Sequence, residues 1–398
     1  MNRSGPLVGV RVLEIEAIGP VPFAAMMLSD LGADVLRVDR PTPPELGMDR
    51  DTRFEVSARG RRSIVIDMKQ ATGVEQVLSL AGRADILLEG MRPGVMERLR
   101  LGPTQCFARN AKLVYGRMTG WGQHGPLANT VGHDINYIAT CGVLHSIGRH
   151  GEPPAVPLNL VGDFGGGAML LAFGVLAALH EVQTSGQGQV VDAAMLDGSL
   201  AMLAPVIGRW QSGAWRDERE ANLLDGGAHF YRTYATADGK AVAVGALEPR
   251  FYAALLTGLG LANEELPKQH DRSAWPAMRE RLGAIFGSQT RDFWVGVFHC
   301  TEACVSPVLS ISEMTQHAHI RERESLIGID GVWQPAPAPR FSRTPGMVAG
   351  PPVERGQGGA SALAEWGLAE LLTPPPEPLP SAPRPRAAAP TRSPSAMP

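Results

Sequence analysis

The stretch VGVRVLEIE, at residues 8–16, is a β-branched run typical of a strand. It is followed by the helical pattern FAAMMLSDLG (23–32) and by a second apolar run, ADVLRVD (33–39). Gly32 stands where a helix between the two runs would end. A strand, a helix and a second strand in this order predict one βαβ unit.

The same alternation continues through the next 80 residues or so. SIVIDMK (63–69), ADILLEG (84–90) and KLVYGRM (112–118) are strand-like, and VEQVLSLAGR (74–83) and VMERLR (95–100) are helical. Strands separated by helices predict an α/β fold with a Rossmann-like, doubly wound parallel sheet. Ligands of such sheets bind at the carboxyl ends of the strands. Those ends carry Ile18, Arg40, Lys69, Arg92 and Thr119.

The remaining sequence indicates a second domain and a tail. A long apolar helix is expected from Asp163 to about Gln183, followed by the strand QVVDAAML (189–196) and another helix. Aromatic strand-like segments and two amphipathic helices then mark a change of character, the helices being WPAMRERLGAIF (275–286) and TRDFWVGVF (290–298). We predict a large domain over 1–221 that is completed by 326–373, a smaller α+β domain over 222–325, and a disordered Pro/Ala-rich tail over 374–398.

The composition narrows the function classes. The chain has 398 residues, 44% of them hydrophobic and 19% charged, and a formal net charge of −3. Its scattered Lys and Arg residues argue against nucleic-acid binding, and its four cysteines suit a reducing cytosol. The apolar stretch AMLLAFGVLAALHEV (168–182) has only about 15 residues, too few to span a bilayer. We therefore expect a cytoplasmic protein with no membrane partner.

Neither a metal site nor a dinucleotide site is predicted. The cluster HCxxxC (299–304) has no second ligand pair nearby. The first turn between a strand and a helix, EAIGPVPFAA (16–25), has one glycine, and Pro20 and Pro22 remove amide donors. Asp39 stands where an NAD protein would bind the ribose, but the glycines of that site are missing. Arg40 beside it favours a ligand that carries phosphate.

Basic residues recur near the predicted strand ends. A solvated rim would account for any one of them, whereas the group favours a nucleotide with several phosphates. GMRPGV (90–95) is the best individual case, because its two glycines allow the backbone to approach a ligand. The basic residues are Arg40, Arg61, Arg62, Lys69, Arg92 and Arg98.

Two further segments carry chemistry, GHDINYI (132–138) with His133 and NLVGDFGGG (159–167) with Asp163. Each residue has an ordinary alternative role at a helix start, as a packed histidine or an N-cap. The three glycines cost helix stability and indicate that something, such as a bound acyl group, lies against the backbone. An imidazole and a carboxylate can remove a proton beside a thioester carbonyl and return it to the other face. The amide of Asp134 and the side chain of Asn159 would be donors to the enolate oxygen.

Segments spread over roughly residues 6–345 carry a family resemblance. Their order and number make the chain similar to the family III CoA-transferases (CaiB/BaiF), and within them to the subfamily of α-methylacyl-CoA racemases. The segments are LSDLGADVLRVDRP, RSIVIDMK, LLEGMRPGVMERLRLGP, MTGWGQHGP, GHDINYI, NLVGDFGGG, GQVVDAAMLDGS, LDGGAHFYRTY, VAVGALEP, CVSPVL and PAPRFSRT.

The resemblance implies an interlocked homodimer, in which each large domain faces the small domain of the partner. It implies six catalytic residues: His133 and Asp163 as the acid/base pair, Asn159 and the amide of Asp134 at the enolate oxygen, and Glu248 and Tyr231, which orient His133 and Asp163. It implies CoA contacts at Arg40, Ile66, Asp67, Met68, Lys69, Gly90, Met91, Arg92, Arg98, Gly132, His133, Asp134, Ile135, Asn136 and Tyr137.

The resemblance also bears on the type of reaction. Transferases of the family use an aspartate at the position of Asp163 as a nucleophile, so this residue does not separate the two activities. His133, and VGALEP (244–249) in place of a glycine-rich lid, favour the racemase. We expect interconversion of (2R)- and (2S)-2-methylacyl-CoA by 1,1-proton transfer, with no cofactor besides the CoA of the substrate. The alternatives are a CoA-transferase with Asp163 as nucleophile and a non-catalytic binding protein for acyl-CoA or a nucleotide.

Overall fold

The computed structural model describes residues 3–43 and 51–372, so the predicted tail over 374–398 lies outside the described residues. The strands are β1 (Arg11–Ile15), β2 (Asp34–Asp39), β3 (Arg61–Val65), β4 (Ile86–Glu89), β5 (Val114–Thr119), β6 (Val190–Ala194), β7 (Tyr231–Ala235), β8 (Ala241–Gly245), β9 (Val305–Pro307), β10 (Leu326–Ile329) and β11 (Val332–Pro335).

The α-helices are α1 (Pro20–Asp30), α2 (Ala71–Ala81), α3 (Val95–Arg98), α4 (Pro103–Arg109), α5 (Asp134–Thr140), α6 (Leu170–Ser185), α7 (Met195–Met202), α8 (Ala204–Gln211), α9 (Pro249–Gly258), α10 (Trp275–Phe286), α11 (Arg291–Phe298), α12 (Ile311–Met314), α13 (Ala318–Glu322) and α14 (Gly359–Trp366). A π-helical segment covers Leu160–Met169, and short 3₁₀ helices cover Thr52–Phe54, Val56–Ala58, Leu144–Ser146 and Ala369–Leu372.

Strands β1 to β6 form one parallel sheet in the order β3-β2-β1-β4-β5-β6. This order confirms the predicted α/β fold with a Rossmann-like, doubly wound sheet. The chain winds outward from β1 to β3 and then returns to add β4 on the other side of β1. Such a reversal opens a crevice at the carboxyl ends of the two central strands, which is where ligands of this architecture bind.

Alternate residues of the strands fill a core on each face of this sheet. Leu13 and Ile15 face one core, under α2, α4 and α14, whereas Val12 faces the other, under α1 and α6. All three side chains are fully buried, and truncating one such residue to alanine typically costs about 2–5 kcal/mol. Trp366 of α14 joins the first core and donates its indole N–H to Asp34 Oδ2 at 2.8 Å.

The sequence pattern predicted that α1 starts at Phe23, three residues after its observed start. The helix begins at Pro20, because proline lacks the N–H that a first helical residue leaves unbonded and its ring fixes the required φ. The residue before it, Gly19, has φ +66°, a conformation that favours glycine. Gly32, with φ +101°, follows the helix as predicted. Helix α4 was not predicted.

A third core lies in the region 223–305. Strands β7, β8 and β9 form an antiparallel sheet, against which α9, α10 and α11 pack. Phe230, Tyr234, Phe286 and Trp294 are buried at its centre, and the Tyr234 and Phe286 rings stack with their centroids 5.0 Å apart. β10 and β11 pair separately as an antiparallel hairpin.

The π-helical segment and α6 form one continuous helix of 26 residues, Leu160–Ser185. Its length and apolar composition are sufficient to cross a membrane, so the prediction that this stretch is too short was wrong. One side of the helix buries Leu171 and Val175 in the core of the parallel sheet. The other side exposes Met169 and Phe173, the latter by 70%.

Candidate active site

A cavity of about 1070 Å³ opens at the carboxyl ends of the parallel strands. It lies at the ends of the neighbouring strands β1 and β4, where the winding of the sheet reverses and where this topology predicts a ligand site. Residues at or just after the ends of four strands line it, namely Glu16, Asp39, Gly90 and Thr119. His133, Asn159 and Asp163 line the same cavity. The structure therefore brings together side chains that the sequence placed on two separate loops, with His133 on one and with Asn159 and Asp163 on the other.

His133 is the residue that precedes α5. Its backbone is extended, with φ −128° and ψ 176°, and its N–H donates to Asn136 Oδ1 at 3.0 Å. This bond satisfies a donor at the helix start, so the short sequence from His133 to Asn136 fixes the local geometry. The His133 side chain is exposed at the cavity. Beneath it, the Tyr137 hydroxyl donates to the Gly132 carbonyl.

Asp163 lies in the first turn of the π-helical segment and is only partly exposed. Asn159 Nδ2 donates to its Oδ2 at 3.0 Å, and its own N–H donates to Asp134 Oδ2 at 2.7 Å. Burial raises the pKa of the Asp163 carboxyl above its usual value. The Asn159 hydrogen bond and nearby His133 lower this pKa, whereas the Asp134 carboxylate raises it further. The net shift is upward.

The glycines that follow Asp163 make room for helix α7. A Cβ built at Gly166 would lie 2.6 Å from the Ser199 amide nitrogen, and one at Gly198 would lie 1.8 Å from the Gly166 carbonyl oxygen. The backbones of the two helices are therefore in direct contact. The interpretation that these glycines admit a bound acyl group was wrong for Gly166, because α7 occupies that place. Gly165 instead faces the flexible end of Met202, at 3.1 Å.

The turn between β1 and α1 approaches Asp163. A Cβ at Gly19 would lie 3.2 Å from Asp163 Oδ2. The position where a dinucleotide enzyme holds a pyrophosphate therefore lies beside a carboxylate in this protein, which would repel phosphate. Asp39 is also engaged, because Arg37 Nε donates to its Oδ1 at 2.7 Å and Ser63 donates to its Oδ2. Both contacts argue against an NAD site.

The predicted CoA contacts divide into two groups. Those that line the cavity are Gly90, Met91, Arg92, Gly132, His133, Asn136 and Tyr137. Those that do not line it are Arg40, Ile66, Asp67, Met68, Lys69, Arg98, Asp134 and Ile135. Within the second group, the side chains of Ile66 and Met68 are buried in the core of the sheet, so only their backbones remain for a ligand.

The loop with Gly90, Met91 and Arg92 is held by a buried carboxyl group. Glu89 Oε2 accepts the Met91 N–H at 2.6 Å, and Glu89 Oε1 accepts Arg117 Nε at 2.8 Å. Burial raises the pKa of Glu89 to about 7, although both of these bonds lower it. Arg117 also bonds Glu97 at 2.7 Å. The network fixes this loop to the sheet at the edge of the cavity.

Two of the basic residues expected at the ligand edge lie elsewhere. Arg61 and Arg62 begin β3, so they are at its amino end, opposite the cavity mouth. Arg61 is fully buried and its Nε bonds Glu14 at 2.5 Å, and Arg62 bonds Asp34 at 2.7 Å. Their prediction as ligand cations was wrong, because each neutralises a buried carboxylate of the sheet.

Arg355 lines the cavity, and sequence reasoning missed it. Its Nη1 lies 2.5 Å from Glu16 Oε1, and Glu16 also accepts the Arg40 Nε at 3.1 Å through its other oxygen. These cations lower the pKa of the Glu16 carboxyl, although its burial opposes them. Because 339 residues separate Arg355 from Glu16 along the chain, no local pattern could have indicated the pair.

Tyr231 and Glu248 do not line the cavity that contains His133 and Asp163 of their own chain. Tyr231 lines a separate cavity of about 550 Å³ together with Cys304, and Glu248 is an exposed residue at the start of α9. Cys300 and Cys304 are exposed free thiols. Within residues 3–43 and 51–372, no three His, Cys, Asp or Glu side chains are grouped to hold a metal ion.

A family model and similar sequences place this site in context. The model for CoA-transferase family III matches residues 7–357. The chain belongs to CoA-transferase family III. A mouse member named alpha-methylacyl-CoA racemase is 46% identical over 91% of this chain and 93% of its own length, and a human protein of that name is 44% identical over 86% and 88%.

More distant members of family III have another named activity. A Chloroflexus aurantiacus protein named as the alpha subunit of a succinyl-CoA--L-malate CoA-transferase is 30% identical over 87% of this chain and 86% of its own length. Among solved structures, a Mycobacterium tuberculosis hypothetical protein, Rv3272, has a TM-score of 0.78 at 26% identity, covering 91% of this chain and 99% of that one. A CAIB/BAIF family protein from Brucella suis has a TM-score of 0.77 at 24% identity, covering 92% and 100%. These likenesses confirm the family III fold.

Proposed function

We propose that this family III protein is an α-methylacyl-CoA racemase, which interconverts (2R)- and (2S)-2-methylacyl-CoA thioesters. The observation that carries the proposal is that His133 and Asp163 line one cavity, with Asn159 bonded to Asp163 at 3.0 Å. The names of the mouse and human relatives, at 46% and 44% identity, support the same activity.

The reaction is a 1,1-proton transfer at C2. One of the pair, His133 or Asp163, takes the C2 proton, and the C–H electron pair delocalises into the thioester carbonyl as an enolate. Amide donors, for which Asn159 and the backbone N–H of Asp134 are the candidates, stabilise the negative oxygen. The other acid/base residue then delivers a proton to the opposite face, so the two residues end with exchanged protonation states.

We expect the CoA moiety of the substrate to occupy the remainder of the cavity. The loop held by Glu89 lies at the end of β4. Its backbone at Met91 and Arg92 is available to the CoA moiety, and the Arg92 side chain supplies one cation. Arg355 supplies a second cation at the ends of β1 and β2. A thioester delocalises the charge of its own enolate, so we propose that no cofactor is required besides the CoA of the substrate.

We infer that the working form is a homodimer in the cytoplasm, with no membrane contact. Tyr231 and Glu248 do not line the cavity of their own chain, so orienting roles for them require a second chain. Val131, Leu158 and Phe173 are 70% exposed or more. We infer that they belong to one surface, because contiguous exposed apolar patches are typical of association surfaces. A partner chain that covers this surface would also cover the exposed side of the helix Leu160–Ser185.

Incubation of a chiral 2-methylacyl-CoA in deuterated water tests the activity. Either epimer should acquire deuterium at C2 and yield the same mixture of epimers. The variants His133→Gln and Asp163→Asn should each reduce the exchange by about 10²–10⁴-fold, the usual contribution of a general acid or base. A wild-type protein that binds the thioester but incorporates no deuterium would exclude the racemase.

A CoA-transferase is the second candidate, favoured by the Asp163 carboxyl in the cavity and by the 30% identity to the Chloroflexus transferase subunit. In that reaction Asp163 attacks the thioester, the C–S bond breaks, CoA leaves as the thiolate, and an acyl anhydride forms. Hydroxylamine would then trap Asp163, and turnover would require a second carboxylic acid. Stereochemical exchange without an added acid favours the racemase, and tight binding with neither reaction indicates a binding protein.

A further inference from the structure

The carboxyl group of Asp134 lies between the two acid/base segments, although its side chain does not line the cavity. Asp134 is the residue after His133 and the first residue of α5. It is only 5% exposed, and its Oδ2 accepts the N–H of Asp163 at 2.7 Å. One side chain thus joins the segment that carries the imidazole to the segment that carries the catalytic carboxyl.

Gly162 makes this approach possible. A Cβ at position 162 would lie 2.5 Å from Asp134 Oδ2 and 2.9 Å from Asp134 Cγ, closer than real atoms come. Any side chain there would push the carboxyl group away from the start of the π-helical segment. The glycine directly before Asp163 therefore admits the Asp134 carboxylate.

The bond between Asp134 and Asp163 leaves a charge that is incompletely compensated. Within the described part of the chain, Asp134 Oδ1 is buried and has no hydrogen-bond partner. The groups that act on the Asp163 carboxyl are Asn159, Asp134 and His133, and Asp163 acts on Tyr137. Of these, Asp134 is the only anion, and it is held at hydrogen-bond distance from the Asp163 backbone.

We propose, on the basis of the racemase function above, that the Asp134 side chain is a positioning residue for the acid/base pair. It fixes the His133 segment to the Asp163 segment, and its negative charge favours the protonated, proton-donating form of Asp163. The role is distinct from that of the Asp134 backbone N–H at the enolate oxygen.

This role has a consequence for the proton balance of the pair. When His133 removes the C2 proton, Asp163 must hold a proton to deliver to the opposite face. A carboxyl group of ordinary acidity would be almost fully ionised at neutral pH. A neighbouring anion opposes that ionisation, so a larger fraction of the enzyme holds Asp163 in its protonated form.

Asp134→Asn is the test variant, because it removes the charge while its side-chain oxygen still accepts the Asp163 N–H. We expect the acid limb of the kcat/KM profile for deuterium exchange to move to lower pH, since Asp163 then loses its proton more easily. Asp134→Ala removes the bond as well, and we expect a loss in kcat on the order of 10²-fold from misplacement of the pair. If Asp134→Asn does not fold, Asp134→Ser takes its place, since serine is an uncharged residue with a short acceptor. It should show the shift of the acid limb that is expected for Asp134→Asn.

Asp197→Asn is the matched control, since Asp197 is an exposed acid on α7, the helix that contacts the π-helical segment. The same change of charge there should leave the acid limb in place. An acid limb in Asp134→Asn equal to that of the wild type would overturn the inference and leave the racemase standing. A wild-type protein without exchange would instead refute the function itself.

Discussion

The two helix starts that supply the proposed acid/base pair are built in different ways. α5 begins as an ordinary α-helix, in which the extended residue His133 is capped by Asn136 three residues later. The segment with Asp163 begins as a π-helix, Leu160–Met169, with wider turns. The first start leaves its imidazole exposed, whereas the second leaves its carboxyl group half-buried, with a raised pKa.

The difference shows which contacts position each of the two proposed acid/base groups. The cap of α5 needs only residues that are neighbours in sequence. The π-helical segment depends on distant contacts, because α7 lies against Gly166 and the Asp134 carboxylate binds the Asp163 N–H. We therefore expect substitutions under the π-helical segment to cost more activity and stability than substitutions in the cap of α5.

Gly166→Ala should have the largest combined effect, because we expect it to lower both stability and activity. A variant that keeps both would contradict the contrast between the two helix starts. The added Cβ would lie 2.6 Å from both the Ser199 amide nitrogen and Ser199 Oγ, so the helices must separate. Overpacking of this kind costs about 1–3 kcal/mol of unfolding free energy, and displacement of Asp163 should reduce exchange on the order of 10²-fold. Thermal unfolding and deuterium uptake measure the two effects.

Gly165→Ala is the matched control for that variant. Its Cβ would meet the flexible end of Met202 at 3.1 Å and the Leu160 carbonyl oxygen at 3.2 Å, so smaller movements relieve it. We expect a clearly smaller loss of both stability and activity. Equal losses in the two variants would show that the contact with α7 does not maintain the π-helical segment.

Asn159→Ala should affect activity and not stability, and it tests the description of Asp163. Loss of a donor to the enolate oxygen should lower kcat by about 10²–10³-fold, with a smaller change in KM. Its hydrogen bond lowers the pKa of Asp163, so the acid limb of the remaining activity should move to higher pH. This shift is opposite in sign to the one expected for Asp134→Asn, and a shift to lower pH would refute the assignment of the bond.

Local sequence predicted those parts of the molecule that are local in origin. The strands followed from local patterns such as that of β1, in which Val12 and Leu13 point to opposite cores. The winding of the sheet followed from the alternation of strands with helices along the chain. The helix pattern over 275–286 predicted α10 with its observed bounds. The start of α5 after His133 was also predicted, because it needs only the residues around it.

Contacts between distant segments were not predictable in this way. The apolar pattern after Asp163 indicated a helix but not its π-helical form, which depends on the surface of α7. The glycine run indicated that something lies close to the backbone after Asp163, but it did not identify α7 as the element that does so. The local sequence does not distinguish the roles of Arg61 and Arg355, which depend on tertiary partners. Arg61 is buried against Glu14, whereas Arg355 reaches the cavity.

Asn136→Ala should have the smallest effect on kcat, because its side chain acts on the His133 backbone as the cap of α5, and loss of its predicted CoA contact would appear in KM. The His133 N–H loses its acceptor, and loss of such a cap costs about 1 kcal/mol of stability. If the same energy is lost from the transition state, kcat falls by about fivefold. Asn136→Asp keeps the acceptor and should restore both quantities, since an anion is favourable in a first helical turn. A kcat loss as large as that of Gly166→Ala would mean that the two helix starts are equally sensitive, and the contrast between them would not hold.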